Sequence, residues 1–136
     1  MRILLDTNIT IDILTNRKPF CEDSIACLKK AVLRGDKIFI STVSVADIMY
    51  ITKNNFSDKA NQLKAVSNFI KTLKIAKVTS KDLRFAFAGS MPDFEDALQA
   101  YCAKRYRVKY IITRNAKDFA LSPVKAIEPS EFLNIN

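Results

Sequence analysis

The 136-residue chain contains no histidine, and this absence excludes more chemistry than any motif present implies. Serine–histidine nucleophilic catalysis, histidine acid–base ribonuclease chemistry and histidine-ligated zinc each lose a required group. Any catalysis here is expected to be carried by carboxylates. Cysteine is also scarce: Cys21, Cys27 and Cys102 are odd in number and lack CxxC spacing, so neither a disulfide framework nor a zinc knot is indicated, and reduced, mostly core thiols are expected. No apolar run approaches the roughly 20 residues a membrane helix needs, and "MRILLDTNI" meets a charge too early for a signal peptide. A soluble, cytoplasmic protein without membrane contact is expected. Only two glycines occur, Gly35 and Gly89, and there is no internal repeat, linker or low-complexity stretch. With 49% hydrophobic residues, residues 1–136 are expected to form a single domain.

Positive charge is abundant instead. The 22 Lys and Arg against 14 Asp and Glu give a net charge of +8, which favours a polyanionic partner such as nucleic acid. Charge alone is weak evidence, since many basic domains bind nothing in particular.

Short apolar runs at 2–6 (RILLD), 37–41 (KIFIS), 74–79 (KIAKVT) and 109–113 (KYIIT) read as strands, with 124–127 (VKAI) a weaker fifth. Helical spacing appears between them. Ile25, Leu28, Ala31 and Val32 mark one helix; Val45, Ile48, Met49 and Thr52 mark the next. Leu63, Val66, Phe69, Ile70 and Leu73 mark a third, and Phe94, Ala97, Leu98, Tyr101 and Cys102 a fourth. Gly35 sits where a helix should stop before the second strand. The alternation predicts an α/β fold with a central, mostly parallel sheet of four to five strands flanked by helices on both faces.

In a parallel sheet the carboxyl ends of the strands and the amino ends of the following helices share one side, where ligands bind. Asp6 closes the first strand, followed by Thr7 and Asn8. Asp47 falls in the first turn of the helix after strand two if Ser44 is its cap. Asp93 would cap the fourth helix, placing Asp96 at its third position. Arg114, Asn115 and Asp118 follow the strand that ends at Thr113. Four segments thus deliver acidic or amide side chains to one rim.

Capping accounts for part of this. Ser44 with Asp47, and Asp93 with Asp96, each resemble a capping box, and Asp93, Glu95 and Asp96 complement the helix dipole by roughly 0.3–1 kcal/mol each. It does not account for Asp6, an acid at the end of an apolar, central strand, where desolvating an unpaired carboxylate is expensive. At about 100° per residue, Asp96 lies nearly opposite the apolar stripe between Phe94 and Leu98, free to face a cleft, and Asp93 lies nearer the stripe's border. Crowded carboxylates repel unless protonated or bridged, and hard oxygen ligands suit Mg²⁺ or Mn²⁺ rather than zinc.

The stretches "ILLDTNI", "DFEDALQA" and "YIITRNAKDF", with an acid in the helix after strand two, resemble the PIN domain, a metal-dependent nuclease fold, and within it the VapC-like toxins of toxin-antitoxin pairs. The resemblance spans roughly residues 2–132. It implies that Asp6, Asp47 and Asp96 are catalytic, metal-binding acids with Asp93 close by, and that Asn8 and Thr113 line the pocket. It implies hydrolysis of RNA phosphodiesters with Mg²⁺ or Mn²⁺, through in-line attack of a water oriented by Asp6 or Asp96, leaving 5′-phosphate and 3′-hydroxyl ends. Arg114 and Lys117 are positioned for phosphate contacts beside the rim, whereas Lys104, Arg105, Arg107 and Lys109 cluster at the far end of the fourth helix, away from the scissile phosphate.

Two positions depart from the family pattern. The second acid is commonly Glu and is Asp47 here; the fourth, usually the residue after "TR", is Asn115, with Asp118 one turn on. The missing charge weakens a second metal more than a first, so at least one tightly held ion is expected and a two-metal mechanism stays open. Similar toxins form homodimers and are silenced by a protein antitoxin, so both partners are implied. The stretch carrying Ile11, Ile13, Leu14, Ile25 and Leu28 supplies apolar residues either to the core or to a groove for a partner helix. A HAD-type phosphatase would need an acid at Asn8, and a receiver domain an Asp after a middle strand. A catalytically weakened or inactive RNA-binding or protein-binding module remains the alternative.

Overall fold

Residues 1–136 are described by a computed structural model. Strand β1 (Arg2–Leu5) shows why the sheet forms where it does. Its side chains alternate between two apolar layers: Ile3 and Leu5 join Cys27, Ala31 and Phe132 on one face, while Leu4 joins Ala100, Cys102 and Ala103 on the other. Strand β2 (Lys37–Ser41) repeats the division. Its Phe39 faces the second layer, and Ile38 and Ile40 face the first and its extension around Ile48 and Val66. A strand buried on both faces needs such an uninterrupted apolar run, and each fully buried Leu or Ile contributes about 1.5–3 kcal/mol.

The remaining strands are β3 (Lys74–Ala76), β4 (Tyr110–Ile112) and β5 (Lys125–Ile127), and all neighbours pair in parallel in the order β3-β2-β1-β4-β5. Helices α1 (Thr7–Leu14), α2 (Phe20–Arg34), α3 (Thr42–Ile51), α4 (Lys59–Ile70) and α7 (Pro129–Leu133) supply the first layer, and α6 (Phe94–Arg105) covers the second with α5 (Ser80–Ala88) packed against it. The α/β fold with helices on both faces is therefore as expected, and its weak fifth strand is real. Gly35 ends α2 in the left-handed conformation, at φ 76°, which a glycine adopts without steric cost.

Several expectations shift. The strand expected over 74–79 stops at Ala76, because Thr79 and Asp82 form a capping box that turns the chain into α5. Helices α1, α5 and α7 are additional to the four that apolar spacing marks. In α1 the isoleucines at 9, 11 and 13 alternate as in a strand, yet the segment is helical, started by Asp6. Helix α5 leaves Leu83, Phe85 and Phe87 exposed, so it has no clean apolar stripe, and α7 is only five residues long. The apolar residues considered for a partner groove are largely used internally: Ile11, Ile13, Leu14 and Leu28 pack into the core beneath α1 and α2.

The chain lays down β1, β2 and β3 in one direction, then returns to the other side of β1 for β4 and β5. The order reverses between β1 and β4, so a crevice opens beyond their carboxyl ends, the place where open α/β sheets bind ligands. Asp6 follows β1 and Thr113 follows β4 at that point.

Candidate active site

The backbone N–H of Asp6 donates to the Ile112 carbonyl at 2.9 Å, extending the β1–β4 ladder by one residue. Its side chain then turns into the crevice, only 5% exposed. Asp6 is the N-cap of α1: its Oδ1 accepts from Thr7 N at 2.7 Å. Capping is thus part of its role, contrary to the sequence reading, because α1 begins directly after β1. Oδ1 also accepts from Gln99 Nε2 at 2.8 Å, and Oδ2 from Thr113 Oγ1 at 2.8 Å and Asn8 Nδ2 at 3.4 Å. A carboxylate offers about four lone-pair positions. Three are well used, and the long Asn8 contact leaves the fourth open to exchange.

Gln99, 1% exposed on α6, ties this acid to the neighbouring element. Its Oε1 accepts from Ser44 Oγ at 2.9 Å and lies 3.4 Å from Ser41 Oγ, and Ser44 Oγ is 2.8 Å from Thr7 Oγ1. The cap of α3 is Ser41, which accepts from Ser44 N at 3.1 Å, rather than Ser44 itself. The helix begins three residues earlier than expected, and Asp47 lies in its second turn. Asp93 caps α6 as expected, accepting from Asp96 N at 2.8 Å.

These elements enclose a cleft of about 610 Å³ that brings together Asp6, Asn8, Asp47, Asp93, Asp96, Asn115 and Asp118, with Glu95 in addition. Six carboxyl groups face two arginines, Arg17 and Arg114. Burial, reinforced by the charges of Asp6, Asp93 and Asp118, pushes the Asp96 carboxyl up to about 7. Glu95 rises to about 8, chiefly through a hydrogen bond with Asp47, then through burial and the charges of Asp47, Asp93 and Asp6. The cleft is short of positive charge.

Other expected residues lie outside the lining or are already engaged. Thr113 is fully buried beneath Asp6 and also accepts from Asn115 N at 3.1 Å. Lys117 is exposed on the 3₁₀ turn Ala116–Phe119 and does not border the cleft. Arg114 does border it, but its guanidinium is held by the fully buried Asp12, with Nε to Oδ2 at 2.6 Å, and lies 4.1 Å from the centre of the Phe20 ring. Arg17, 5.8 Å from the same ring, carries no carboxylate partner.

An all-oxygen donor set whose Asp96 is raised by burial and neighbouring charge, and whose Glu95 is raised by its hydrogen bond with Asp47, fits a hard divalent cation. No three of the acidic side chains form a ready-made cage. One or two carboxylates completed by water is the coordination Mg²⁺ prefers, and Asp6 and Asp96 are the residues suited to supply them.

Sequence reasoning missed Glu95 as a lining residue, Gln99, and the Asp12–Arg114 pair. The signal for Gln99 was a polar residue three positions after Asp96, inside the otherwise apolar run of α6.

A family model described as a PIN domain matches residues 2–117. The fold is similar to that of VapBC2 from Rickettsia felis bound to a DNA fragment from their promoter, at 18% identity and TM-score 0.75 over 94% of this chain and 98% of that one. It is similar to a toxin-antitoxin complex from Klebsiella pneumoniae, at 25% identity and TM-score 0.69 over 93% and 97%. It is also similar to Mycobacterium tuberculosis VapC20, a Sarcin-Ricin loop cleaving toxin, at 11% identity and TM-score 0.65 over 90% and 98%. No curated protein matches the sequence. With a family model covering most of its length, the chain belongs to the PIN-domain family.

Proposed function

We propose that this protein is an Mg²⁺- or Mn²⁺-dependent endoribonuclease, the toxin of a toxin-antitoxin pair. The observation that carries this reading is Asp6: a buried carboxylate held by four donors at the reversal point of the sheet, facing five further acids across one cleft. Family membership and the toxin-antitoxin structures among the neighbours support it.

Asp6 and Asp96 are the primary ligands, with Asp47 and Asp93 completing the acidic wall. A divalent cation, when bound, offsets phosphoryl charge and acidifies water. Asp6 is oriented by Gln99 and Thr113, so only its long Asn8 contact has to yield for it to act. Asp96, whose carboxyl is raised by burial and the neighbouring acids when no cation is present, would be ionised by the cation it holds and would orient the attacking water. Glu95 shares a hydrogen bond with Asp47 and relieves repulsion between them. Arg17 is placed to receive the phosphate backbone, and Arg114 stiffens the rim through Asp12. A homodimer and an antitoxin presenting a cationic side chain to the cleft complete the reading. No helix is long and apolar enough to cross a membrane, in keeping with cytoplasmic action.

The lack of three converging acids favours one competitor, a binding module without turnover. Incubating a mixed RNA pool with Mn²⁺, Mg²⁺ or chelator, beside a folded Asp6→Asn variant, separates them. Metal-dependent cleavage that leaves 5′-phosphate ends and disappears in the variant is expected. Intact RNA together with measurable metal binding would point to the competitor or to a nuclease of extreme target specificity, which a search for bound RNA separates.

A further inference from the structure

The basic residues at the far end of α6 are left unused by the cleft, and the structure gives them an aromatic neighbour. Phe85 on α5 stacks on Tyr101 of α6, with ring centres 5.5 Å apart and planes inclined by 19°. Phe85 is nevertheless 48% exposed. The stack borders a hollow of about 250 Å³ that Lys81 and Lys104 also line. A second hollow shares Lys81 and Phe85 and adds Arg84.

The charges divide into used and unused. Arg105 is committed to Asp82, at 2.7 and 3.1 Å, and that pair cancels. Lys81, Arg84 and Lys104 have no carboxylate partner. The chain also makes room for the stack. A Cβ at Gly89 would come within 2.8 Å of the Tyr101 hydroxyl, so the bare glycine leaves the room that the tyrosine occupies.

An exposed aromatic face flanked by unpaired cations is complementary to a base and the phosphates beside it. Tyr101 and Lys104 follow Asp96 by five and eight residues on the same helix. At the helical rise, Lys104 is about 12 Å along the axis from Asp96, a few nucleotides of strand.

We propose that Phe85 and Tyr101, with Lys81, Arg84 and Lys104, form an accessory site for single-stranded RNA that anchors the substrate away from the scissile phosphate. The choice of RNA rests on the ribonuclease reading; the stacking and charge complementarity do not.

The test is fluorescence anisotropy of a labelled single-stranded RNA across a salt series, with chelator present and RNA integrity checked afterwards. Phe85→Leu keeps an apolar contact with Tyr101 but removes a stacking face. It should weaken binding at least about fivefold and leave the salt slope unchanged. Lys81→Ala combined with Lys104→Ala should flatten the logarithmic salt slope by about 1.4, at about 0.7 per lost phosphate contact on a single strand. Thermal melts confirm folding, and should Phe85→Leu not fold, the lysine variant alone decides. Wild-type affinity and slope in the folded variants would overturn the proposal. So would wild-type self-association that Phe85→Leu abolishes while RNA binding is untouched, which would assign this face to a second copy of the chain. Binding that depends on these residues in a protein that never cleaves would uphold the site and overturn the ribonuclease reading. Metal-dependent cleavage with binding indifferent to them would do the reverse.

Discussion

Gln99 Nε2 donates to Asp6 Oδ1 at 2.8 Å, joining a helix to a strand end 93 residues earlier in the chain. The same amide accepts from Ser44 through Oε1, so one buried side chain orients the central acid and satisfies the start of α3. Gln99→Met conserves length but removes both functions. The variant is expected to lose about 1–3 kcal/mol, the usual cost of buried polar groups left without partners, as read by urea denaturation. In an assay of cleavage it should lower kcat more than KM, since the acid it orients remains present.

The Asp12–Arg114 pair makes a sharper energetic prediction. Asp12 is fully buried and Arg114 is its only cation. Arg114→Met alone strands a carboxylate and should cost about 3–5 kcal/mol. Asp12→Leu together with Arg114→Met should cost less than Arg114→Met alone, because the buried charge disappears with its partner. Equal losses in the single and double variants, measured by denaturant midpoints, would contradict this.

Much of the fold was legible because its signals are local. The strands are apolar runs bounded by charge, and Asp6 stood out as an acid where an apolar strand ends. Asp93 was legible as a cap because its partner is three residues away. Long-range pairings left no such trace. Gln99 meets Asp6, and Arg114 meets Asp12 at 102 residues' separation, and in the sequence each looks like an ordinary helix or loop residue. Helix α1 was hidden for another reason: its isoleucines alternate, and only the cap at Asp6 and burial around the segment favour a helix over a strand.

Lys30 reaches from α2 to the carbonyls of Phe132, Leu133 and Ile135, with the Leu133 contact at 2.8 Å. The Phe132 carbonyl also accepts from Ile135 N at 3.1 Å, so Lys30 matters most to the carbonyls of Leu133, the last residue of α7, and of Ile135 beyond it. Lys30→Met should therefore loosen the C-terminal segment, with a loss of about 1–3 kcal/mol. Faster amide exchange confined to residues 129–136 would be the signature.

Acid sensitivity should have a contribution away from the cleft. Asp82 is held below its ordinary value: burial opposes this, and is outweighed by the hydrogen bond and charge of Arg105 and the Thr79 backbone N–H. A carboxyl with a lower value folded than unfolded stabilises the fold above its unfolded value, and that stability disappears as pH falls through the folded one. Below the ordinary carboxylate range, Asp82→Asn should thus lose less of its stability than the wild type on further acidification. Parallel pH profiles of the two melting temperatures would contradict the assignment.

The most direct measurement is a calorimetric titration with Mn²⁺ of the wild type, Asp6→Asn and Asp96→Asn, each verified as folded. One saturable site is expected in the wild type, weakened at least about tenfold by either substitution, since each removes a charged oxygen ligand. Equal Mn²⁺ affinity in all three proteins would show that the acidic cleft at the end of β1 is not a metal centre.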